Sequence, residues 1–173
     1  MKIKKIFPKN KEHFKELVPF AQKIIKICRD NKIPLVVYGS FAHFYYTKDK
    51  NMRVKDIDIL IPRKGLKKLV KLLKRNKINF ARCSLEDYSI IIKKGKLRVE
   101  LDDVGTRYKT INEKSLSKNI FKKVDFYGTP IRMITLKQLE EIYLIAYTRW
   151  KRDKARILKK IRHLEKFLRR KLI

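Results

Sequence analysis

The sequence predicts an α/β protein, a small mixed sheet backed by helices and followed by a C-terminal helical pair. Three observations carry that prediction. Apolar residues between Glu12 and Arg29 recur at helical spacing. Short apolar runs bounded by Gly, Pro and Asn then follow one another, as strands do. Beyond Thr135 the helical period returns and persists to the end of the chain. The 173 residues suffice for one ordinary domain with a helical appendage. The expected division is a core over residues 1–134 and a basic helical segment over 135–173, packed on it.

In order, Phe14, Leu17, Val18, Ala21, Ile24, Ile25 and Cys28 form the apolar stripe of the first helix, which Asn31 and Pro34 stop. The run IPLVVY reads as an interior strand. Gly39-Ser40 and a short helix over FAHFYY follow it. Met52 to Ile61 reads as a second strand closed by Pro62 and Gly65, and Leu66 to about Arg75 as a helix whose outer face is almost all lysine. Three strands are expected over Ile78–Cys83, Tyr88–Lys93 and Lys96–Val104, the last two joined by a turn at Lys94-Gly95. Gly105 to Lys118 reads as a loop, and Val124–Tyr127 with Thr129–Ile134 as a hairpin around Gly128. Thr135 and Gln138 have the spacing of a capping box at the start of a helix that runs to about Arg149. Ile157, Ile161, Leu164 and Leu168 mark the final helix.

Charge narrows the functional classes. Lys and Arg number 47 against 17 Asp and Glu, a formal net charge of +30. Such an excess points to a polyanionic partner, nucleic acid first. A heat-adapted surface would also be rich in lysine, but it would balance lysine with glutamate, which is scarce here. Cys28 and Cys83 stand far apart without a CxxC, and His13, His43 and His163 are scattered, so no zinc spacing exists and both thiols read as buried. The charged N-terminus lacks the apolar core of a signal peptide, and the longest apolar run is too short to span a bilayer. A cytoplasmic protein without membrane association is expected.

Against this background Asp56 and Asp58 stand out, one residue apart in an apolar segment. Side chains two apart on a strand share a face, so both carboxylates would point one way with Ile57 and Ile59 packed behind them. Like charges so placed are stable mainly with a cation between them, and magnesium favours carboxylates together with substrate phosphates. The strand LRVELDDV offers a third carboxylate, Glu100 or Asp102, which lie on one face and which spacing does not separate. Three carboxylates around two metal ions can activate a hydroxyl and neutralise a leaving pyrophosphate. Gly39-Ser40, between strand and helix, lets backbone, hydroxyl and helix N-terminus approach a phosphate.

The order Gly39-Ser40, then the strand DID at Asp56–Asp58, then an acidic strand resembles the nucleotidyltransferase superfamily of DNA polymerase beta, CCA-adding enzymes and small antibiotic nucleotidyltransferases. The likeness covers about Ile33 to Val104. It implies the nucleotidyltransferase fold, a nucleoside triphosphate such as ATP as substrate, and two magnesium ions. It further implies that Gly39 and Ser40 hold the triphosphate, that Asp56 and Asp58 bind both metals, and that Asp102 or Glu100 is the third carboxylate. VELD resembles the CCA-adding form and favours Asp102 as the third metal ligand, whereas other small members align Glu100. Arg149, Lys151, Arg152 and Asp153 resemble a cluster ahead of the final helix in small members, which gives Arg149 and Lys151 nucleotide-binding roles. Fifteen residues separate Ser40 from Asp56, a few more than usual, and Lys55 stands where many relatives have serine.

The expected activity is transfer of a nucleoside monophosphate from a triphosphate to a hydroxyl, on RNA (a tRNA end among the candidates), a protein or a small molecule. The alternative is an inactive nucleic-acid-binding or toxin–antitoxin-type module on the same fold. From Arg149 to Ile173 there are twelve basic residues and two acidic ones, which suits a phosphate-binding stripe as well as a solvated helix face. Tyr143, Tyr147 and Trp150 could stack bases, although helical spacing makes them ordinary core. His43 reads as packed or capping, and nothing separates Arg107 and Lys109 from the other basic residues.

Overall fold

A computed structural model describes residues 6–84, 89–104, 121–149 and 153–171. Among them the elements are α1 (Lys11–Asp30), β1 (Val36–Tyr38), α2 (Gly39–Thr47), β2 (Ile57–Ile61), α3 (Arg63–Arg75), β3 (Phe80–Ser84), β4 (Ser89–Lys94), β5 (Leu97–Asp103), β6 (Lys122–Phe126), β7 (Thr129–Met133), α4 (Leu136–Arg149) and α5 (Lys154–Lys171). The expected loop over Gly105–Lys118, with Arg107 and Lys109, lies outside the described residues.

The strands form one mixed seven-stranded sheet in the order β3-β4-β5-β2-β1-β7-β6. β2 pairs antiparallel with β1 and parallel with β5, so the segment carrying Asp58 is central. One face of β2 and β5 presents Ile57, Ile59, Ile61, Val99 and Leu101, all fully buried. Alternation sends Asp58, Glu100 and Asp102 to the other face. α3 crosses the apolar face so closely that a Cβ on Gly65 would stand 2.8 Å from Ile33 and 3.3 Å from Ile61. Its first residue, Arg63, pairs with the buried Asp103 at 3.0 Å. The stripe foreseen on α1 is the buried one, residue for residue, and the helix runs uninterrupted through Pro19.

The capping box at Thr135 is formed in both directions. The Thr135 N–H donates to Gln138 Oε1 at 2.8 Å, and the Gln138 N–H donates to Thr135 Oγ1 at 3.3 Å. α4 then packs on α2, and α5 on α4, through buried Ile142, Tyr143, Ala146, Ile157, Ile161 and Leu164. Cys28 is a fully buried free thiol whose burial pushes its pKa up to about 12. The side chain of Cys83 lies outside the described residues.

The second strand is shorter than the apolar pattern predicts. It begins at Ile57, not Met52, and Asp56 stands just ahead of it. Two causes act together. β1 is only three residues long and its ladder ends at Tyr38 opposite Asp58, because the chain turns into α2 at Gly39. The backbone of the preceding segment is meanwhile satisfied by the start of α1. Asn10 donates from Nδ2 to the Val54 carbonyl at 2.7 Å and accepts from the Val54 N–H at 3.0 Å. The Lys9 N–H donates to the Met52 carbonyl at 2.7 Å. With the Met52 carbonyl and both Val54 backbone groups met there, this segment pairs with the start of α1 instead of a neighbouring strand.

Candidate active site

At the end of β1 the chain must leave the sheet beside a carboxylate, and only glycine allows it. Gly39 has φ +70°, and a Cβ built there would lie 1.8 Å from Asp58 Oδ2. The Asp58 carboxylate therefore rests on the bare Cα of Gly39. Next in the chain, the Ser40 hydroxyl donates to Asp56 Oδ1 at 3.4 Å. The Gly39 carbonyl accepts from the Tyr143 hydroxyl of α4 at 3.4 Å, which ties this turn to the C-terminal helices.

The ladder separates the two candidates that spacing left level. Asp58 is directly opposite Glu100, whereas Asp102 is opposite Leu60, two residues further along β5. Glu100 lines a cavity with Asp56 and Asp58. Asp102 does not line it; fully buried, it accepts a hydrogen bond from the Tyr38 hydroxyl. Glu100 is paired with Arg98 at 2.6 Å on the same face of β5.

The cavity has a volume of about 390 Å³ and is also lined by Gly39, Ser40, Arg53, Lys55, Arg98, Arg156 and Lys160. Three carboxylates thus face five cationic side chains. Protein packed around Asp58 raises its carboxyl well above the usual carboxylate range, and the charges of Asp56, Glu100 and Asp102 push the same way. Burial lowers Lys160, while Asp58 and Asp56 hold it back towards its ordinary value. An elevated acid and a depressed base sharing one cleft mark a site under electrostatic tension, as catalytic sites are.

Lys160 is the residue that sequence reasoning missed. It sits on α5, one of twelve basic residues in the last 25, and only the packing of α5 brings it over the aspartates. Its one sequence signal is its spacing, three residues after Ile157 and four before Leu164, which places it at the border of the buried stripe of α5. Of the four residues singled out ahead of α5, Lys151 and Arg152 lie outside the described residues, Arg149 ends α4 with its side chain outside them as well, and Asp153 pairs with Arg156 at 3.0 Å. His43 is packed, as expected. Its Nε2 shares a hydrogen bond with His163 Nδ1 at 2.9 Å, and its Nδ1 lies 3.4 Å from the Tyr143 hydroxyl. Tyr143 is buried in the core, and Tyr147 packs against it.

Among the described residues no three of His, Cys, Asp and Glu form a ready-made metal group. Magnesium does not require one, since it is held through one or two carboxylates plus substrate phosphates. The donor set fits it: hard carboxylate oxygens, with burial first and the neighbouring carboxylates next holding Asp58 back from ionising alone.

No protein-family model and no curated protein matches the chain. Solved structures do. ANT(2″)-Ia in complex with adenylyl-2″-tobramycin superposes with a TM-score of 0.58 at 13% identity, over 87% of this chain and 88% of that one. An antigenic nucleotidyltransferase-like protein from Paracoccidioides brasiliensis gives a TM-score of 0.57 at 16% identity, over 91% and 77%. The lincomycin-bound lincosamide antibiotic adenylyltransferase LnuA gives 0.54 at 10% identity, over 83% and 95%. The chain has the nucleotidyltransferase fold.

Proposed function

We propose that this chain is a magnesium-dependent nucleotidyltransferase that moves a nucleoside monophosphate from a triphosphate, ATP among them, to a hydroxyl acceptor. One observation carries the reading: Asp58 lies against the bare Cα of Gly39, with Asp56 and Glu100 beside it in one cavity. In that arrangement the N-terminus of α2 and the Ser40 hydroxyl receive the triphosphate, and Lys160 and Arg156 of α5 face its charge. Asp56 and Asp58 are the residues that hold magnesium, which supplies neutralisation of phosphate charge when bound. Glu100, not Asp102, takes the third carboxylate role. It accepts the proton of the acceptor hydroxyl as that oxygen bonds to the α-phosphorus, while the bond to the bridging oxygen breaks and pyrophosphate leaves.

The net charge of +30 favours RNA, including a tRNA end, as the acceptor over a small molecule or a protein side chain. The test is to incubate the protein and its Asp58→Asn variant with magnesium, each labelled nucleoside triphosphate and total cellular RNA. Label is then sought in RNA, in small molecules and in the protein. Label dependent on Asp58 supports transfer and identifies the acceptor class. No transfer, with RNA retained equally by both proteins, would overturn the enzyme reading in favour of a binding module.

A further inference from the structure

The cavity uses only five of the chain's cations, and the densest run of the remainder lies elsewhere. α3 carries seven basic residues and no acidic one in its thirteen positions. Lys64, Lys67, Lys68, Lys71, Lys74 and Arg75 are all exposed, opposite the buried Gly65, Leu66, Leu69 and Leu73. At about 100° per residue these six fall within roughly a third of the helix circumference. From Lys64 to Arg75 they extend about 16 Å.

α1 shows that this chain can neutralise a helix surface. There lysines alternate with acids and pair with them, Lys15 with Glu12 at 3.1 Å and Lys26 with Asp30 at 2.6 Å. On α3, among the described residues, Arg63 alone meets a carboxylate, and Lys68 donates to the Asn31 carbonyl. Like charges three and four residues apart destabilise a helix. The stripe is therefore a strained arrangement in isolation and is relieved by an external anion.

Its position gives the anion a direction. β2, β3 and β5 run parallel, so the connecting α3 runs back along the sheet and ends at the edge where β3 and β5 begin. The β4–β5 turn stands at that edge and exposes Lys93, Lys94 and Lys96. Asp56 precedes β2 at the same edge. Exposed basic residues thus stand on the back of the sheet and at the edge from which the cavity opens.

We propose that the α3 stripe is a docking surface for the phosphodiester backbone of a nucleic acid. Sixteen ångströms of duplex axis carry roughly ten phosphates, about five on each strand, so six basic residues in line suffice for the backbone of one strand. A bilayer suits the surface less well. Membrane-surface helices insert an apolar face, that of α3 is buried in the core, and Leu144 on α4 is the one large exposed apolar side chain among the described residues. The inference concerns binding and does not rest on transfer chemistry.

Two variants of equal charge decide it. One carries Lys64, Lys67, Lys71 and Lys74→Gln, the other Lys11, Lys15, Lys23 and Lys26→Gln on α1. Binding of a labelled 20-nucleotide RNA and a 20-base-pair DNA is followed by anisotropy between 50 and 200 mM KCl, without nucleotide or divalent metal. The α3 variant should bind at least tenfold more weakly at 50 mM. Its plot of log K against log salt should flatten by about 3, from roughly 0.7–0.9 per lost phosphate contact. The α1 variant should stay within threefold. Asp58→Asn should bind as the parent does, whether or not transfer occurs, so failure of the enzyme reading leaves the result intact. Equal loss in both variants would reduce the effect to diffuse charge and overturn the proposal. So would unchanged binding by the α3 variant, or stripe-dependent binding to phosphatidylserine vesicles with none to nucleic acid. Lys71→Glu serves as a single-site check should the quadruple variant melt early. Equal RNA and DNA binding identifies the shared backbone as the ligand, and a preference identifies the source.

Discussion

Replacing Gly39 by alanine would place a methyl carbon 1.8 Å from Asp58 Oδ2, 2.7 Å from its Cγ and 2.9 Å from its Cβ. Ordinary contact begins at 3.4 Å, so the oxygen must retreat by about 1.6 Å or the turn must open. Gly39 also has φ +70°, where an L-residue loses about 1–2 kcal/mol. Crowding in a packed site adds about 1–3 kcal/mol. Together these give a loss of about 2–5 kcal/mol, a fall in Tm of roughly 4–20 °C for a domain of this size. Displacing a reacting group by about 1 Å costs on the order of a hundredfold in rate, so nucleotide transfer should fall at least that far. A double-mutant cycle with Asp58→Ala separates the two contributions. In that background the 1.8 and 2.7 Å contacts are gone while the 2.9 Å contact with Cβ and the positive φ remain, so Gly39→Ala should lose clearly less than it does in the parent, with about 1–2 kcal/mol of that loss from the positive φ. Thermal melts of the four proteins and transfer by the parent and Gly39→Ala are the measurements. A Gly39→Ala protein that melts within 2 °C of the parent and transfers within threefold, or a cycle without coupling, would refute the claim that Asp58 is seated on the glycine.

Two further outcomes follow from the same geometry. Burial first, then the charges of His163 and Lys160, hold the His43 pKa down to about 3 from 6.5. The unfolded chain therefore takes up a proton between pH 6.5 and 3 that the folded protein does not. The stability His43 contributes is full above 6.5 and falls as pH drops, by up to about 1.4 kcal/mol per pH unit. His43→Asn should flatten that slope in urea titrations from pH 7 to 4.5; parallel slopes would contradict it. Glu100→Gln should lower kcat by about a hundredfold or more with the fold retained. Asp102→Asn, which disturbs the buried bond from Tyr38, should instead lose about 1–3 kcal/mol of stability and keep transfer within tenfold. The opposite pattern would assign the third carboxylate to Asp102.

What was legible in the sequence is what depends on neighbours in the chain. The α1 stripe, the capping box at Thr135 and the order of strands and helices are local patterns, and the structure forms them. What was not legible depends on partners far away. β2 begins late because Asn10, 44 residues upstream, holds the Val54 backbone, and no period in LRVELDDV or NMRVKDIDILI encodes that clamp. Glu100 and Asp102 share a face, and only the register of β2 against β5 brings one of them level with Asp58. Lys160 could not be picked from twelve basic residues until α5 was docked. The importance of Gly39, by contrast, was visible as a type of residue but not as a contact. Its requirement is a carboxylate nineteen positions later in the chain.

The charges of the cavity imply that the two ligands proposed for it, magnesium and a triphosphate, should bind together better than either does alone. With all groups ionised, five cationic and three anionic side chains leave two positive charges at the site. A divalent cation relieves Asp56, Asp58 and Glu100 but meets Lys160, Arg156 and Arg98. A triphosphate satisfies those cations but meets the carboxylates. A magnesium–triphosphate pair, carrying two negative charges, relieves both sets at once. Ligands that bind only the folded state raise its stability in proportion to the logarithm of their saturation. Magnesium with a non-hydrolysable triphosphate should therefore raise Tm by more than the sum of the separate shifts. Because Asp58 is held protonated to higher pH than an ordinary carboxylate, the metal must displace that proton, and the joint shift should grow as pH rises. Lys160→Met should remove most of the excess while leaving the shift with magnesium alone in place. Additive shifts, or a joint shift unaffected by Lys160→Met, would mean that the carboxylates and the cations of this cavity do not serve one ligand.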